Sequence, residues 1–229
     1  MNISKLSITI GQKKLVDINF SIQTSLALVG QSGSGKSLSI KALLGMLPKN
    51  MKADIEYEGD FELIAGKTLA FVPQNPFTAL SPLTKIKDQF FSEMSKIEQL
   101  FEQVGLGIDL LDRFPPELSG GQLQRVVIAM ALSHEPKLIL LDEPTTALDP
   151  NTRVKILNLL KELQKEYGFK ILFVTHDMNA AKILCQDVCV IKNGSVVESA
   201  QMEEILRNPS AEYTRTLIEA NFANREFRI

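Results

Sequence analysis

The stretch Gly30-Gln31-Ser32-Gly33-Ser34-Gly35-Lys36-Ser37 decides how this chain folds. It meets the phosphate-loop pattern G-x-x-x-x-G-K-[ST] at every fixed position. Before it, Ser25 to Val29 reads S-L-A-L-V, an apolar run suited to a buried strand. After it the chain turns helical, with Leu38, Ile40, Ala42, Leu43 and Leu44 apolar and Pro48 as the stop. A phosphate loop needs that strand–loop–helix frame. Glycines allow backbone conformations closed to other residues, so successive N–H groups can turn inward on an anion. The following helix adds its positive N-terminal end. In such a loop Lys36 reaches the outer phosphates as a point charge, and the Ser37 hydroxyl holds Mg2+. A Gly/Ser-rich turn that fits by chance is the plainer alternative; the strand and helix on either side argue against it.

Composition narrows the class. A chain of 229 residues, 45% hydrophobic and 23% charged, can build the core of one large domain or of a domain with a subdomain. A net charge of −2 without a basic tract gives no bulk attraction for nucleic acid. Apolar runs such as Leu138–Leu141 are far too short to span a bilayer, and the N-terminus does not read as a signal peptide. Cys185 and Cys189 make no secreted disulfide framework. Their spacing allows one helix face, but a strand beginning near Val188 favours two buried thiols. The expectation is a cytosolic chain.

In order, Ile3, Leu6, Ile8 and Ile10 suggest a strand with imperfect alternation, and 18–22 returns as a second. Residues 53–72 read as short strands punctuated by Gly59 and Gly66. Turns this short make the opening antiparallel in character. From Pro73 the chain becomes a loop, 74–82, then helical: 88–94, 96–104 and 108–114, a Pro115-Pro116 breaker, and 122–132. Residues 137–142 and 170–175 are strands around an amphipathic helix, 151–167, with Val154, Ile156, Leu157, Leu160 and Leu163 apolar. Strands 187–191 and 195–198 flank Asn193-Gly194, a hairpin signal. Two short helical pieces close the chain. Strands alternating with helices argue for a parallel α/β core.

Further constellations carry chemistry. Leu138–Leu141 is a fully apolar strand ending in Asp142-Glu143. Ligands in open α/β sheets sit outside the carboxyl ends of strands, where Asp142 can hold Mg2+ and Glu143 can orient or deprotonate an attacking water. Phe173-Val174-Thr175-His176-Asp177 repeats the design, and His176 could donate to a γ-phosphate; His134 reads as surface. Leu118-Ser119-Gly120-Gly121-Gln122 opens a helix with Ser119 as N-cap, and its glycines let N–H groups approach a second phosphate.

Gly30–Ser37, Gln74, Leu118–Gln122, Leu141–Glu143, Ala147-Leu148-Asp149 and Thr175-His176 occur in the order of an ATP-binding-cassette ATPase, which the chain resembles over nearly its whole length. Leu118–Gln122 is the most specific piece. The resemblance implies a phosphate-loop NTPase fold of α/β class, with a mixed β core, an antiparallel β subdomain and an inserted helical subdomain. One domain would cover 1–229: core in 1–74 and 136–229, helical subdomain in 75–135. It implies ATP and Mg2+ as ligands and ATP hydrolysis as the activity. Gln74 would sense Mg2+ and a permease. A head-to-tail dimer with a second ATPase subunit, copy or paralogue, would set ATP between one phosphate loop and the other subunit's Ser119-Gly120-Gly121, with Gln122 beside it and Asp149 coupling the sites. Two membrane permease subunits and, indirectly, an extracytoplasmic binding protein would complete an importer at the cytoplasmic face of the membrane. Nucleic acid is not an expected partner.

Within that family, Gln74–Pro82, Asn208-Pro209 and Tyr213-Thr214-Arg215-Thr216-Leu217 are similar to peptide and nickel importers. Gly33–Leu38 with Leu44–Pro48 looks most like the nickel branch, so nickel is the first cargo expected and oligopeptide or dipeptide the alternative. A non-transport ATPase of the same class is the other.

The chain departs from its family at Ile10, where members usually carry an aromatic that stacks on adenine. Stacking on a base contributes on the order of 1–3 kcal/mol in single-strand nucleic-acid binders. We expect weak ATP binding by the isolated subunit and poor discrimination between ATP and GTP. Ile10→Tyr should tighten ATP by up to about tenfold. Titration of both proteins with both nucleotides checks this; tight, ATP-selective binding that the substitution leaves alone would contradict it.

Overall fold

A computed structural model describes residues 1–223 of the chain. The strand that feeds the phosphate loop, β3 (Ser25–Val29), is buried at every position. It is paired in parallel on both sides, and with helix α5 (Met178–Leu184) packed on it every residue is buried, as in parallel sheets whose faces are covered, which suits its apolar run. Contacts divide the chain into two compact units, Met1–Leu63 with Lys170 onward, and Ile64–Phe169.

In the first unit the strand order is β4 (Met51–Glu58), β1 (Asn2–Ile10), β2 (Lys13–Ser21), β9 (Ser195–Gln201), β8 (Asp187–Lys192), β3 and β7 (Lys170–Thr175). In the outer part β1 pairs antiparallel with β2 and β4, and β8 with β9, while β2 meets β9 in parallel at Asp17 and Ser195. The inner part is parallel, with β3 between β7 and β8. Helix α1 (Lys36–Leu43) packs on β1 and β7, while α5 (Met178–Leu184) packs on β3 and β7. Helices α6 (Met202–Arg207) and α7 (Glu212–Ala223) lie against β9, and α7 also meets α5. The broken alternation of the first strand has a cause: the β1–β2 register shifts between Ile3 and Leu6, a bulge that restores Ile3, Leu6 and Ile8 to the buried face.

The second unit is built on β5 (Leu69–Val72) and β6 (Leu138–Asp142), paired in parallel. The crossover between them carries α2 (Met94–Gln103) and α3 (Gly120–Leu132), and α4 (Pro150–Tyr167) follows β6. Helix α3 packs on β5, α2 and α4. Asp149 caps α4 at its start, Pro150 takes its first turn, and Gly168 ends it at φ 71°. The fold is thus a phosphate-loop α/β fold with a mixed sheet, an antiparallel β part and a helical insertion.

Several expectations need correction. Residues 53–72 are not all antiparallel: β4 is, but β5 runs parallel to β6, because the long helical crossover returns the chain to the same end. The expected helix at 88–94 is only a 3-10 turn, Lys87–Gln89. Phe90 leaves it with extended backbone and packs edge-on against Phe101, ring centroids 5.9 Å apart, and α2 begins at Met94. The segment 108–114 is likewise a 3-10 turn, Ile108–Asp112. Phe114 precedes a proline, which bars it from the helical region, and sits at φ −93°, ψ 150°. Val154, read as part of the apolar stripe of α4, is exposed. Helix α5 went unread; its seven residues are too few to display a helical period.

Gly194 is where the hairpin meets the rest of the first unit. Its N–H donates to the Ser34 carbonyl at 3.0 Å, and its own carbonyl accepts from the Asp17 N–H at 2.7 Å. Its φ is 78°, and a Cβ there would lie 2.0 Å from the Leu15 carbonyl oxygen. Gly194→Ala should therefore destabilise the protein by about 2 kcal/mol or more. For a chain of this size that lowers Tm by roughly 4–8 °C, read by thermal denaturation.

Candidate functional site

The glycine loop between β3 and α1 curls on itself. Gly33 and Gly35 take φ 79° and 105°, values that L side chains rarely adopt, and the Ser34 N–H donates to the Gln31 carbonyl at 3.2 Å. Gly30 is held close to β8, since a Cβ on it would lie 2.3 Å from the Ile191 carbonyl oxygen. Lys36 is 5% exposed, and its ammonium donates to the Gly30 and Gln31 carbonyls at 2.7 and 2.9 Å. A lysine curled into its own loop keeps its charge within the loop, against the carbonyls of its first two residues. Among the described residues no side chain caps α1, whose N-cap is Gly35 in the left-handed region, a helix start of the kind that receives an anion. The Ser34 hydroxyl is buried without a hydrogen-bond partner, which also suits an oxyanion ligand.

The β3–β7 register pairs Val29 with Thr175, so Gly30 and His176 leave adjacent strands at the same end. His176 is exposed there. The Thr175 hydroxyl accepts from the Asp177 N–H at 3.0 Å, and Asp177 caps α5 by accepting from Asn179 and Ala180 N–H at 2.8 and 3.2 Å. The turn bearing His176 is therefore tied at both ends. Ile10 ends β1, half-buried beside Lys13 and Met51.

In the second unit the β5–β6 register pairs Val72 with Leu141, which brings Gln74 and Glu143 to one end of the strand pair. Gln74 is exposed, and Asp142 and Glu143 are half-buried. Glu143 takes φ 47°, a left-handed conformation rare outside glycine, and its carboxylate accepts from the Thr146 hydroxyl at 3.1 Å. Ser119 and Gln122 form a capping box on α3. The Ser119 hydroxyl accepts from Gln122 N–H at 3.3 Å, and the Gln122 side-chain oxygen accepts from Ser119 N–H at 2.8 Å. Gly121 lies tight against the start of α4, where a Cβ on it would meet the Thr152 methyl at 2.8 Å. The N-termini of α3 and α4 thus stand together, which the sequence did not reveal. The Asp149 carboxylate accepts from Asn151 and Thr152 N–H, each at 3.1 Å, and its hydrogen bonds to Thr152 hold it below the usual carboxylate range.

Hydroxyl, amide and carboxylate oxygens, as on Ser37, Gln74 and Asp142, are the donor chemistry a hard cation such as Mg2+ takes. Among the described residues no group of three or more His, Cys, Asp or Glu is placed to hold a metal. Cys185 and Cys189 are buried and free, and burial pushes both thiols up, Cys189 to about 12. Sequence reasoning missed the Tyr213 hydroxyl, which accepts from the Gln31 N–H at 3.1 Å. The importer-like stretch that begins at Tyr213 does not itself show that the residue reaches the loop.

Comparison with known proteins adds a family. The ABC transporter profile matches residues 14–146, and a profile for an AAA domain matches 115–181. The oligopeptide transport ATP-binding protein OppD of Lactococcus lactis subsp. cremoris is 37% identical over 238 residues, 92% of this chain and 70% of that protein. OppD of Bacillus subtilis is 35% identical over 88% of this chain and 64% of that protein. The dipeptide transport ATP-binding protein DppF of Haemophilus influenzae is 33% identical over 91% and 70%. Among solved structures, the dimeric post-hydrolysis state of the ATP-binding cassette MJ0796, bound to ADP and Pi, matches with a TM-score of 0.70 and 27% identity, over 88% of this chain and 98% of that one.

The capping box makes a separable claim about Ser119. Ser119→Ala removes the acceptor for the Gln122 N–H and should lower stability by about 1 kcal/mol, or Tm by roughly 2–4 °C. Ser119→Thr keeps an acceptor and should stay close to the wild type in the same thermal scan.

Proposed function

The chain belongs to the ABC transporter family of ATPases, and on that premise we propose that it is the ATP-hydrolysing subunit of a peptide importer. The observation that carries the nucleotide part is the build of the glycine loop: Lys36 turned inward, a buried Ser34 hydroxyl without a partner, and an uncapped α1. Gly30–Ser37 bind the phosphates of ATP, with Lys36 on the outer ones. Ser37 and Asp142 would hold Mg2+, with Gln74 sensing it, and the ion would supply positive charge against the phosphate oxygens. Glu143 orients and deprotonates the attacking water, and His176 donates to the γ-phosphate. Catalysis is then positioning and charge stabilisation rather than covalent chemistry.

Ser119, Gly120, Gly121 and Gln122 serve the ATP of a second ATPase subunit in a head-to-tail dimer, and Asp149, on the neighbouring helix start, couples the two sites. Closure on ATP and reopening after hydrolysis is a ligand-driven population shift. The segment 74–82 docks a permease; Phe77 is 50% exposed within it, and Leu83 and Phe91 beyond it are each 88% exposed. Among the described residues no helix is long and apolar enough to cross a membrane. In the importer reading, two partner permeases form the pore and the chain works at the cytoplasmic face. The binding protein outside the membrane touches this chain only through them. For cargo, the names of the relatives favour oligopeptides or dipeptides. The likeness to the nickel branch rests on short stretches around the phosphate loop, and none of the relatives described above is named for nickel.

Glu143→Gln keeps the side-chain shape but cannot accept a proton. It should bind ATP, run as a dimer on size exclusion with ATP and Mg2+, and lose turnover by about a hundredfold or more. Hydrolysis at the wild-type rate would remove Glu143 from its role. Reconstituted in vesicles with co-encoded permeases and binding protein, the wild type should take up labelled oligopeptide in step with ATP hydrolysis. Uptake of Ni2+ instead would restore the nickel reading.

A further inference from the structure

Helix α7 touches the loops that leave both β3 and β7. In its first turn the Tyr213 hydroxyl accepts from the Gln31 N–H at 3.1 Å, inside the phosphate loop. Two turns later the Asn221 side-chain oxygen accepts from the Met178 N–H at 3.2 Å, two residues past His176. Eight residues of α-helix separate these contacts by about 12 Å.

Each contact is fixed from behind. The Lys192 ammonium lies 4.7 Å from the centroid of the Tyr213 ring, which holds the ring against the β8–β9 hairpin. The start of α7 is pinned by Glu198 of β9, which accepts from Ser210 N–H and hydroxyl, each at 2.7 Å, and from Ala211 N–H at 3.1 Å. At the far end the Asn221 amide N–H donates to Leu217 O at 2.8 Å, so the side chain is oriented before it meets α5. Asp177 already satisfies the Asn179 and Ala180 N–H groups, and Asn221 takes the Met178 N–H that Asp177 does not cap. Neither contact is needed to form β3, which is paired on both sides, or α5, which Asp177 caps. What both contacts fix is the course of the backbone beside the loop and beside His176.

We infer that α7 is a brace across the nucleotide site of its own chain, with Tyr213 and Asn221 as positioning residues for the phosphate loop and for the His176 turn. The inference rests on the reading of Gly30–Ser37 as the ATP loop. It assigns the two ends different work. The Tyr213 end steadies the loop, which holds phosphates common to ATP and ADP. The Asn221 end steadies His176, which serves the γ-phosphate that ADP lacks.

The test is calorimetric titration of the full chain with ATP and with ADP, beside thermal scans without nucleotide. Tyr213→Phe keeps the ring over Lys192 and removes only the hydroxyl; it should weaken ATP and ADP alike by about three- to tenfold, the range of one net hydrogen bond. Asn221→Ala should weaken ATP by about threefold or more, leave ADP at the wild-type affinity, and slow turnover. Lys36→Ala is the control. If it leaves ATP binding intact, the loop itself is misread. If it abolishes binding while both α7 variants bind as the wild type, the brace is wrong. Equal loss of ATP and ADP in Asn221→Ala would likewise overturn it by reducing the contact to general stability.

Discussion

A loop that turns its N–H groups inward must find partners for its carbonyls elsewhere, and most of the first unit is arranged around that requirement. Gly30 and Gln31 offer their carbonyls to the Lys36 ammonium, Gln31 also to Ser34 N–H, and Ser34 to the N–H of Gly194. The last of these reaches outside the loop, and it sets the position of the β8–β9 hairpin. Gly194 is wedged against Leu15, and Gly35 is close enough to Val16 that a Cβ would come within 2.6 Å of its methyl. The antiparallel part of the sheet thus buttresses the loop as well as completing a core. A phosphate loop on a bare strand–helix unit would leave the Ser34 carbonyl to solvent and its curl less well defined.

The second unit solves a related problem with helix ends. Two N-termini, of α3 and α4, stand together through the contact of Gly121 with Thr152. Their caps are side chains of the chain itself, Ser119 with Gln122 on one and Asp149 on the other, so each helix satisfies part of its own first turn. The difference from α1 is instructive. Helix α1 has glycine at its cap and no side-chain cap. Helix α3 is capped and still offers glycine backbone at its first positions, as suits a group that approaches from outside and departs again. Placing Glu143 in a left-handed conformation at the tip of β6 adds a strained carboxylate to the same unit, held by Thr146.

The glycine loop, the buried strands β3 and β6 and the cap at Ser119 were legible because each is local: a spacing, an apolar run or a capping pair is complete within a dozen residues. The direction of β5 was not, since a short strand carries no mark of which distant partner it will meet. The failures at 88–94 and 108–114 have local causes that a hydrophobic count overlooks, an aromatic drawn into the core and a proline that straightens the residue before it. The contacts of Tyr213, which opens an importer-like stretch, and of Asn221, which is in no motif, were hidden because their partners lie some forty to nearly two hundred positions away. For the roles of the site residues, the sequence offers motif and order, and the structure adds conformation, burial and capping.

The two cysteines have a practical consequence. Both are buried, and burial holds both thiols in the protonated, unreactive form at neutral pH. The native chain is therefore close to inert toward maleimides without any residue being removed. A single cysteine introduced on the surface would carry a fluorophore or spin label alone, and distances between subunits could be followed through a catalytic cycle in an otherwise unaltered protein.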